Sequence, residues 1–186
     1  MNSNKTLLFP GWMSRVKNYQ LGDGVEIWQK PVDPNTYFDS EYMIGHSLGA
    51  NFALLNWQAN KNSKLILISP IVLKKSLLGW FFHWLGYVIG EGLVIPLDDF
   101  KSNKFFFGFK AGLKLLRQDF LKLIIEIPKE NVTIVRGKND NYLCDKVAAE
   151  FFIRENIRLV EIEGSGHNWS VKIKEEVLKI INNEKN

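Results

Sequence analysis

Cysteine is almost absent from this sequence. The single thiol, Cys144, cannot close an internal disulfide, and the three histidines sit in no Cys/His cluster of metal-ligand spacing. Disulfide scaffolds and structural zinc modules are therefore excluded. A block of one charge is also missing: 24 basic and 20 acidic residues leave a net +4 that is spread along the chain. Nucleic acid is accordingly not an expected partner. There is no internal repeat and no low-complexity tract. The apolar stretch behind the polar first residues runs only from Leu7 to Pro10, too short for the core of a secretion signal, so the expected location is cytoplasmic. What is present is 46% hydrophobic and 24% charged residues over 186 positions, the composition of one globular domain with a true core.

Short apolar runs rich in branched residues mark strands at Thr6 to Phe9, Val25 to Gln29, Tyr42 to Ile44, Lys64 to Ser69, Val132 to Val135 and Arg158 to Ile162. Helical patterns fall at Leu48 to Gln58, in several pieces between Ile71 and Ile127, at Asp145 to Arg154 and at Val171 to Ile181. In the last of these, Ile173, Val177, Ile180 and Ile181 share one face. Strands alternating with helices, several strands being wholly apolar, predict a three-layer α/β sandwich around a mostly parallel sheet of about six strands. About 60 residues separate two consecutive strands in the middle, far more than one crossover needs. Residues 71–130 are therefore expected to be a helical cap or lid inserted in a single domain spanning 1–186. Eleven of the 24 aromatic residues lie there, among them Trp80, Phe81, Trp84 and Phe106, which are expected to line an apolar substrate pocket.

The informative segment is Gly45-His46-Ser47-Leu48-Gly49, a Gly-x-Ser-x-Gly pattern between a strand and a helix. A turn this sharp lifts the Ser47 hydroxyl clear of the sheet, and only very small neighbours let strand and helix approach so closely. A serine hydroxyl needs a base to take its proton and an acid to orient that base. His46 lies inside the turn with its side chain directed away from the serine, and His83 lies in the apolar insertion. That leaves His167, in a glycine-rich loop after the last strand. Asp140 follows the strand at 132–135 and fits the acid; Asp98 and Asp99 are alternatives, in an insertion less suited to hold an orienting carboxylate. Asp145 reads as the N-cap of the next helix. A developing oxyanion needs amide donors. Leu48 N–H at the helix start supplies one, and the loop Phe9-Pro10-Gly11-Trp12 is placed to supply Trp12 N–H as the second.

The order Ser47, Asp140, His167, together with the elbow and the Pro-Gly-Trp loop, resembles the α/β-hydrolase family over essentially the whole chain, in particular its small single-domain, carboxylesterase-like serine hydrolases. The resemblance implies an α/β-hydrolase fold pruned at its N-terminal side, since Trp12 to Asp23 is too short for a full first helix. It implies hydrolysis of a carboxylic ester, lactone or thioester with an apolar acyl group through an acyl-enzyme. No metal or organic cofactor is called for. Acyl transfer to an alcohol, an aminopeptidase with Glu91, Asp98 or Asp99 anchoring the substrate amine, and a non-catalytic binding protein on the same fold are the alternatives.

The greasy run from Leu77 to Pro96 approaches the length of a membrane span. A span there would separate Ser47 from Asp140 and His167 and leave His83 and Glu91 in lipid, so a lid is the preferred reading. Lys74, Lys75, Lys101, Lys104, Lys110, Lys114, Arg117 and Lys122 give the insertion a basic exterior. That is usually a solvated face, and it also suits an anionic substrate or peripheral contact with a membrane. The aromatic lid allows either a monomer or a lid-mediated dimer.

Overall fold

Five apolar runs pair side by side in the order of the sequence: β1 (Thr6–Phe9), β2 (Tyr42–His46), β3 (Lys64–Ile68), β4 (Val132–Gly137) and β5 (Arg158–Ile162). The computed structural model describes residues 6–183 except 30, 60, 74 and 93–102 and, for Leu77 and residues 103–106, the backbone alone. All four strand pairings are parallel, in registers such as Phe9 with Gly45, His46 with Ile68, Ile68 with Val135 and Gly137 with Ile162. Every strand therefore ends at the same edge of the sheet. The loops that follow β1, β2, β4 and β5 carry Trp12, Ser47, Asp140 and His167. That edge is where open parallel sheets assemble their sites.

Because a parallel sheet is covered on both faces, side chains along each strand alternate between two cores. On one side Phe9, Met43, Leu65, Leu67 and Ile134 pack against α1 (Leu48–Ala59) and α5 (Lys146–Arg154). On the other, Leu8, Ile44, Ile66, Ile68 and Val135 meet α6 (Val171–Asn183) through Ile173, Val177, Ile180 and Ile181, the four residues its periodicity singles out. Asp145 caps α5 by accepting from Ala148 N–H at 3.1 Å.

Between β3 and β4 lie α2 (Leu77–Glu91), α3 (Asn103–Leu116) and α4 (Phe120–Ile125). α1 is apolar almost all round because α3 and α4 cover the side it turns away from the sheet. Phe120, Ile124 and Ile127 are fully part of the main core. The end of the 71–130 stretch is thus structural packing beneath α1, and only α2 and α3 border the site. Asp98 and Asp99 lie outside the described residues.

The sheet has one strand fewer than the sequence suggests. Val25 to Gln29 does not join it, although Val25 N–H donates to Leu8 C=O (2.9 Å) and Leu8 makes an isolated bridge with Gly24. Two residues on, Ile27 N–H donates back to Val25 C=O at 2.9 Å. That three-residue turn swings the chain off the ladder and buries both Ile27 and Trp28 in one core, which a strand's alternation forbids. Among the described residues no helix is long and apolar enough to cross a membrane.

The tightest packing is at the β2–α1 junction. A Cβ on Gly45 would strike the backbone of Ala50, and one on Gly49 would strike the carbonyl oxygens of Phe9 and Pro10. Gly49→Ala must force β1 and α1 apart, and a loss of about 3 kcal/mol or no folded protein is expected, at or beyond the top of the overpacking range. Chemical denaturation reads this directly, and a variant within about 0.5 kcal/mol of wild type would contradict the packing described here.

Candidate active site

Ser47 stands at the turn between β2 and α1 with φ at +54°, in the left-handed region that side chains normally avoid. Its amide donates to Ile68 C=O (2.8 Å) at the end of β3, and its carbonyl accepts from Ala50 N–H (3.0 Å), so strand and helix both hold the strained residue. Ser47 Oγ lies 2.8 Å from His167 Nε2, and His167 Nδ1 lies 2.6 Å from Asp140 Oδ2. All three side chains are buried.

Asp140 is held from several sides. Its second oxygen, Oδ1, accepts from Leu143 N–H at 3.1 Å, and its carbonyl accepts from the buried Arg136 guanidinium at 2.9 Å, which also pairs with Glu161. Burial by itself would raise the carboxyl pKa. The charge of His167 and its hydrogen bond, with the amides of Leu143 and Cys144, outweigh that and bring it down to about 2. Asp140 is thus ionised at any working pH. The loops after β4 and β5 are also laced to each other, Asn139 N–H donating to Ser165 C=O at 2.9 Å.

Two further anchors act on His167, and neither belongs to the Ser47, Asp140 pair. The first is His46. Its Nε2 is 2.9 Å from the His167 carbonyl and its Nδ1 is 2.7 Å from Tyr19 Oη, which in turn accepts from Gly11 N–H at 2.8 Å. Since a carbonyl can only accept, His46 carries its proton on Nε2 and receives the Tyr19 hydroxyl proton at Nδ1. The chain runs from Gly11 N–H through Tyr19 and His46 to His167 C=O. Burial first, then the proximity of His167, pulls the His46 pKa down to about 3, so it is neutral in the fold. The second anchor is Glu91, the last residue of α2. Its Oε2 accepts from the amides of His167 (2.5 Å) and Asn168 (3.3 Å). Its carbonyl accepts from Asn168 Nδ2 (3.2 Å), and Tyr87 donates to Asn168 Oδ1 (2.6 Å) with its ring edge-on to the His167 imidazole. Burial, with Asp140 nearby, raises the Glu91 pKa.

The other expected residues are distributed unevenly. Trp12 sits in a turn closed by Ser14 N–H to Gly11 C=O (2.9 Å), and its indole donates to Gly108 C=O of α3 (3.0 Å). The loop lies against the first turn of α1, where Leu48 begins the helix. Trp80 is buried in the core and Trp84 is half-buried. Phe81 does not face inward: it is 52% exposed on the outer side of α2, because α2 turns Trp80, Trp84 and Tyr87 to the body instead. The side chain of Phe106 lies outside the described residues. α2 is fastened to the Asp140 loop as well, with Gly86 and Gly90 against the Tyr142 ring and His83 Nδ1 2.8 Å from Tyr142 C=O.

Sequence reasoning missed Tyr19 and the roles of His46 and of Glu91, which was named only as a possible anchor for a substrate amine. The signal for His46 was its place beside Ser47 on a strand, where it must point to the opposite side. Nothing in the local sequence marks Tyr19 or Glu91.

No protein-family model matches the sequence, and no curated protein matches it. Solved structures do. An α/β hydrolase enzyme from a Medee basin deep-sea metagenome library superposes with a TM-score of 0.62 at 13% identity, over 98% of this chain and 89% of that one. Naproxen esterase (carboxylesterase NP) from Bacillus subtilis gives 0.61 at 15% identity, over 100% and 84%. The chain has the α/β-hydrolase fold. A thermophilic esterase from Thermogutta terrifontis matches at 17% identity with a TM-score of 0.51, and the chain spans only 63% of that relative's length. In this α/β-hydrolase fold, the elbow serine and the two loops facing it are the residues whose geometry has just been described.

Two outcomes test the buried network. Tyr19→Phe strands Gly11 N–H and His46 Nδ1 without partners, so a loss of about 2–4 kcal/mol is expected in urea denaturation, and a loss below about 0.5 kcal/mol would remove the chain from the account. His46 is neutral in the fold, with its pKa at about 3, while the unfolded chain takes up a proton near the ordinary value of roughly 6.5. The stability it contributes is therefore present above about pH 6.5 and is lost as pH falls toward 3. His46→Gln keeps one acceptor and one donor without a titrating proton. Its melting temperature should fall less steeply than that of wild type between about pH 6.5 and 4, and identical slopes would contradict the assignment.

Proposed function

We propose that this protein is a serine hydrolase that cleaves carboxylic esters carrying an apolar acyl group. The observation that carries the reading is the continuous hydrogen-bonded line from Ser47 Oγ through His167 to Asp140, at 2.8 and 2.6 Å. In this reading Ser47 Oγ attacks the ester carbonyl while His167 Nε2 takes its proton. Asp140 fixes the proton on Nδ1 and stabilises the imidazolium that forms. Leu48 N–H, at the start of α1, and Trp12 N–H are the donors to the oxyanion, the helix dipole adding to the first. His167 then returns its proton to the leaving alkoxy oxygen, and water repeats the sequence on the acyl-enzyme to release the acid.

Several features support an apolar ester. Trp84 and Tyr87 lie on the inner side of α2, Tyr87 edge-on to His167, and α3 covers Trp12 and Leu48 through Gly108 and Gly112. We assign the lid role within 71–130 to these two helices. Solved proteins of the same fold include esterases, and the one from Bacillus subtilis is named for naproxen. The peptidase alternative needs a free anion to hold an amine. Glu91 is a poor candidate, since its Oε2 already accepts two backbone amides.

Treatment of folded wild type and Ser47→Ala with a fluorophosphonate, read by intact mass, should give one adduct on wild type and none on the variant. An adduct on Ser47→Ala, or none on wild type, would overturn the assignment. Asp140→Asn should lower kcat by orders of magnitude, on the scale of the about 10⁴-fold loss in the protease triad, with p-nitrophenyl esters of increasing chain length as substrates. A loss under about tenfold would place the orienting acid elsewhere.

A further inference from the structure

Helix α2 contains no Lys, Arg or Asp, and its single Glu is its last residue. Its inner face is accounted for: Trp80, His83, Tyr87 and Glu91 are committed to the core and to the loops of Asp140 and His167. Its outer face is Leu78, Phe81, Phe82, Leu85 and Ile89, exposed by 66, 52, 60, 37 and 78%. Their spacing of i, i+3, i+4, i+7 and i+11 confines them to a stripe roughly 100° wide. Within the stripe Phe81 and Phe82 pack edge-on at 5.8 Å. A helix apolar on every side is ordinarily buried on every side, and an exposed stripe of this kind marks a contact surface.

Charge identifies what it contacts. The 71–130 stretch holds nine basic and six acidic residues, a net +3 of the chain's +4. Lys110 and Lys114 of α3, with Arg117 just past its end, are exposed and recur at i, i+4 and i+7, which lines them along one side. α2 leans on the loops of His167 and Tyr142, and α3 on Trp12 and Leu48, so both lie at the sheet edge that carries Ser47. Two copies meeting through this region would bring like charges together. An apolar stripe on a stretch with an excess of cations instead suits a surface with an oily interior and anionic headgroups.

We propose that the outer face of α2 docks on an anionic lipid membrane, its five apolar side chains entering the acyl boundary and Lys110, Lys114 and Arg117 meeting the headgroup phosphates. The docking does not depend on the chemistry at Ser47, and Ser47→Ala should bind as wild type does. The full-length protein is sedimented with vesicles of phosphatidylcholine alone and with vesicles containing about one-third phosphatidylglycerol. Anionic vesicles should bind at least about tenfold more tightly, the preference collapsing at high salt and in Lys110→Glu/Lys114→Glu/Arg117→Glu. Phe81→Ser/Phe82→Ser/Ile89→Ser should lose binding to both kinds of vesicle while keeping the wild-type circular dichroism. If that variant does not fold, Ile89→Ser alone together with the charge-reversal variant decides the question. Absence of binding by folded wild type, binding unchanged in both sets of variants, or a wild-type dimer that the serine variants dissolve would overturn the proposal, the last by showing that a second copy covers the stripe.

Discussion

The positive φ of Ser47 is the constraint on which the rest of the site hangs. A side chain in the left-handed region costs of order 1–3 kcal/mol and persists only where its surroundings leave it no alternative. Here β3 takes its amide, α1 takes its carbonyl, and the glycines at 45 and 49 allow β1, β2 and α1 to close to contact distance around it. The same closeness sets the loop of Trp12 against the start of α1. One backbone geometry thus places the hydroxyl and the amides that would serve it.

His167 is positioned by its backbone as much as by its ring. The ring is held by Asp140, but the carbonyl of His167 accepts from His46 and its amide donates to Glu91. Those partners come from β2 and from α2, elements on different sides of the loop. Tyr19 extends the hold to Gly11, so the loop after β1 and the loop after β5 share one buried hydrogen-bond chain that crosses the end of β2. Buried networks of this kind specify a single arrangement because every member left unpaired is costly.

Much of this was legible in the sequence. β1 and β5 fall where their branched runs lie, α6 buries the four residues its period selects, and Ser47, Asp140 and His167, singled out in sequence, lie within hydrogen-bond distance of one another in a line. Composition misled at Val25 to Gln29, where a run with strand-like residues is bent away by a bond between neighbours. Phe81 was illegible for a different reason: α2 is apolar all round, so no periodicity distinguishes the face that packs on the body from the one that does not. Tyr19 and Glu91 act alone and at long range, 27 and 76 residues from the histidines they hold, and no local pattern encodes such a contact.

The clasp at Glu91 ties two properties of the molecule that are usually separate. The carboxylate that fastens the end of α2 is the same group that receives the amides of His167 and Asn168, and Tyr87 on the same helix braces both the ring and Asn168. A movement that lifted α2 from the body would therefore leave the His167 and Asn168 amides without their acceptor and take the Tyr87 ring from the imidazole edge, with Asp140 and His46 still in place. Exposure of that side of the fold and the seating of His167 are therefore coupled through one carboxylate.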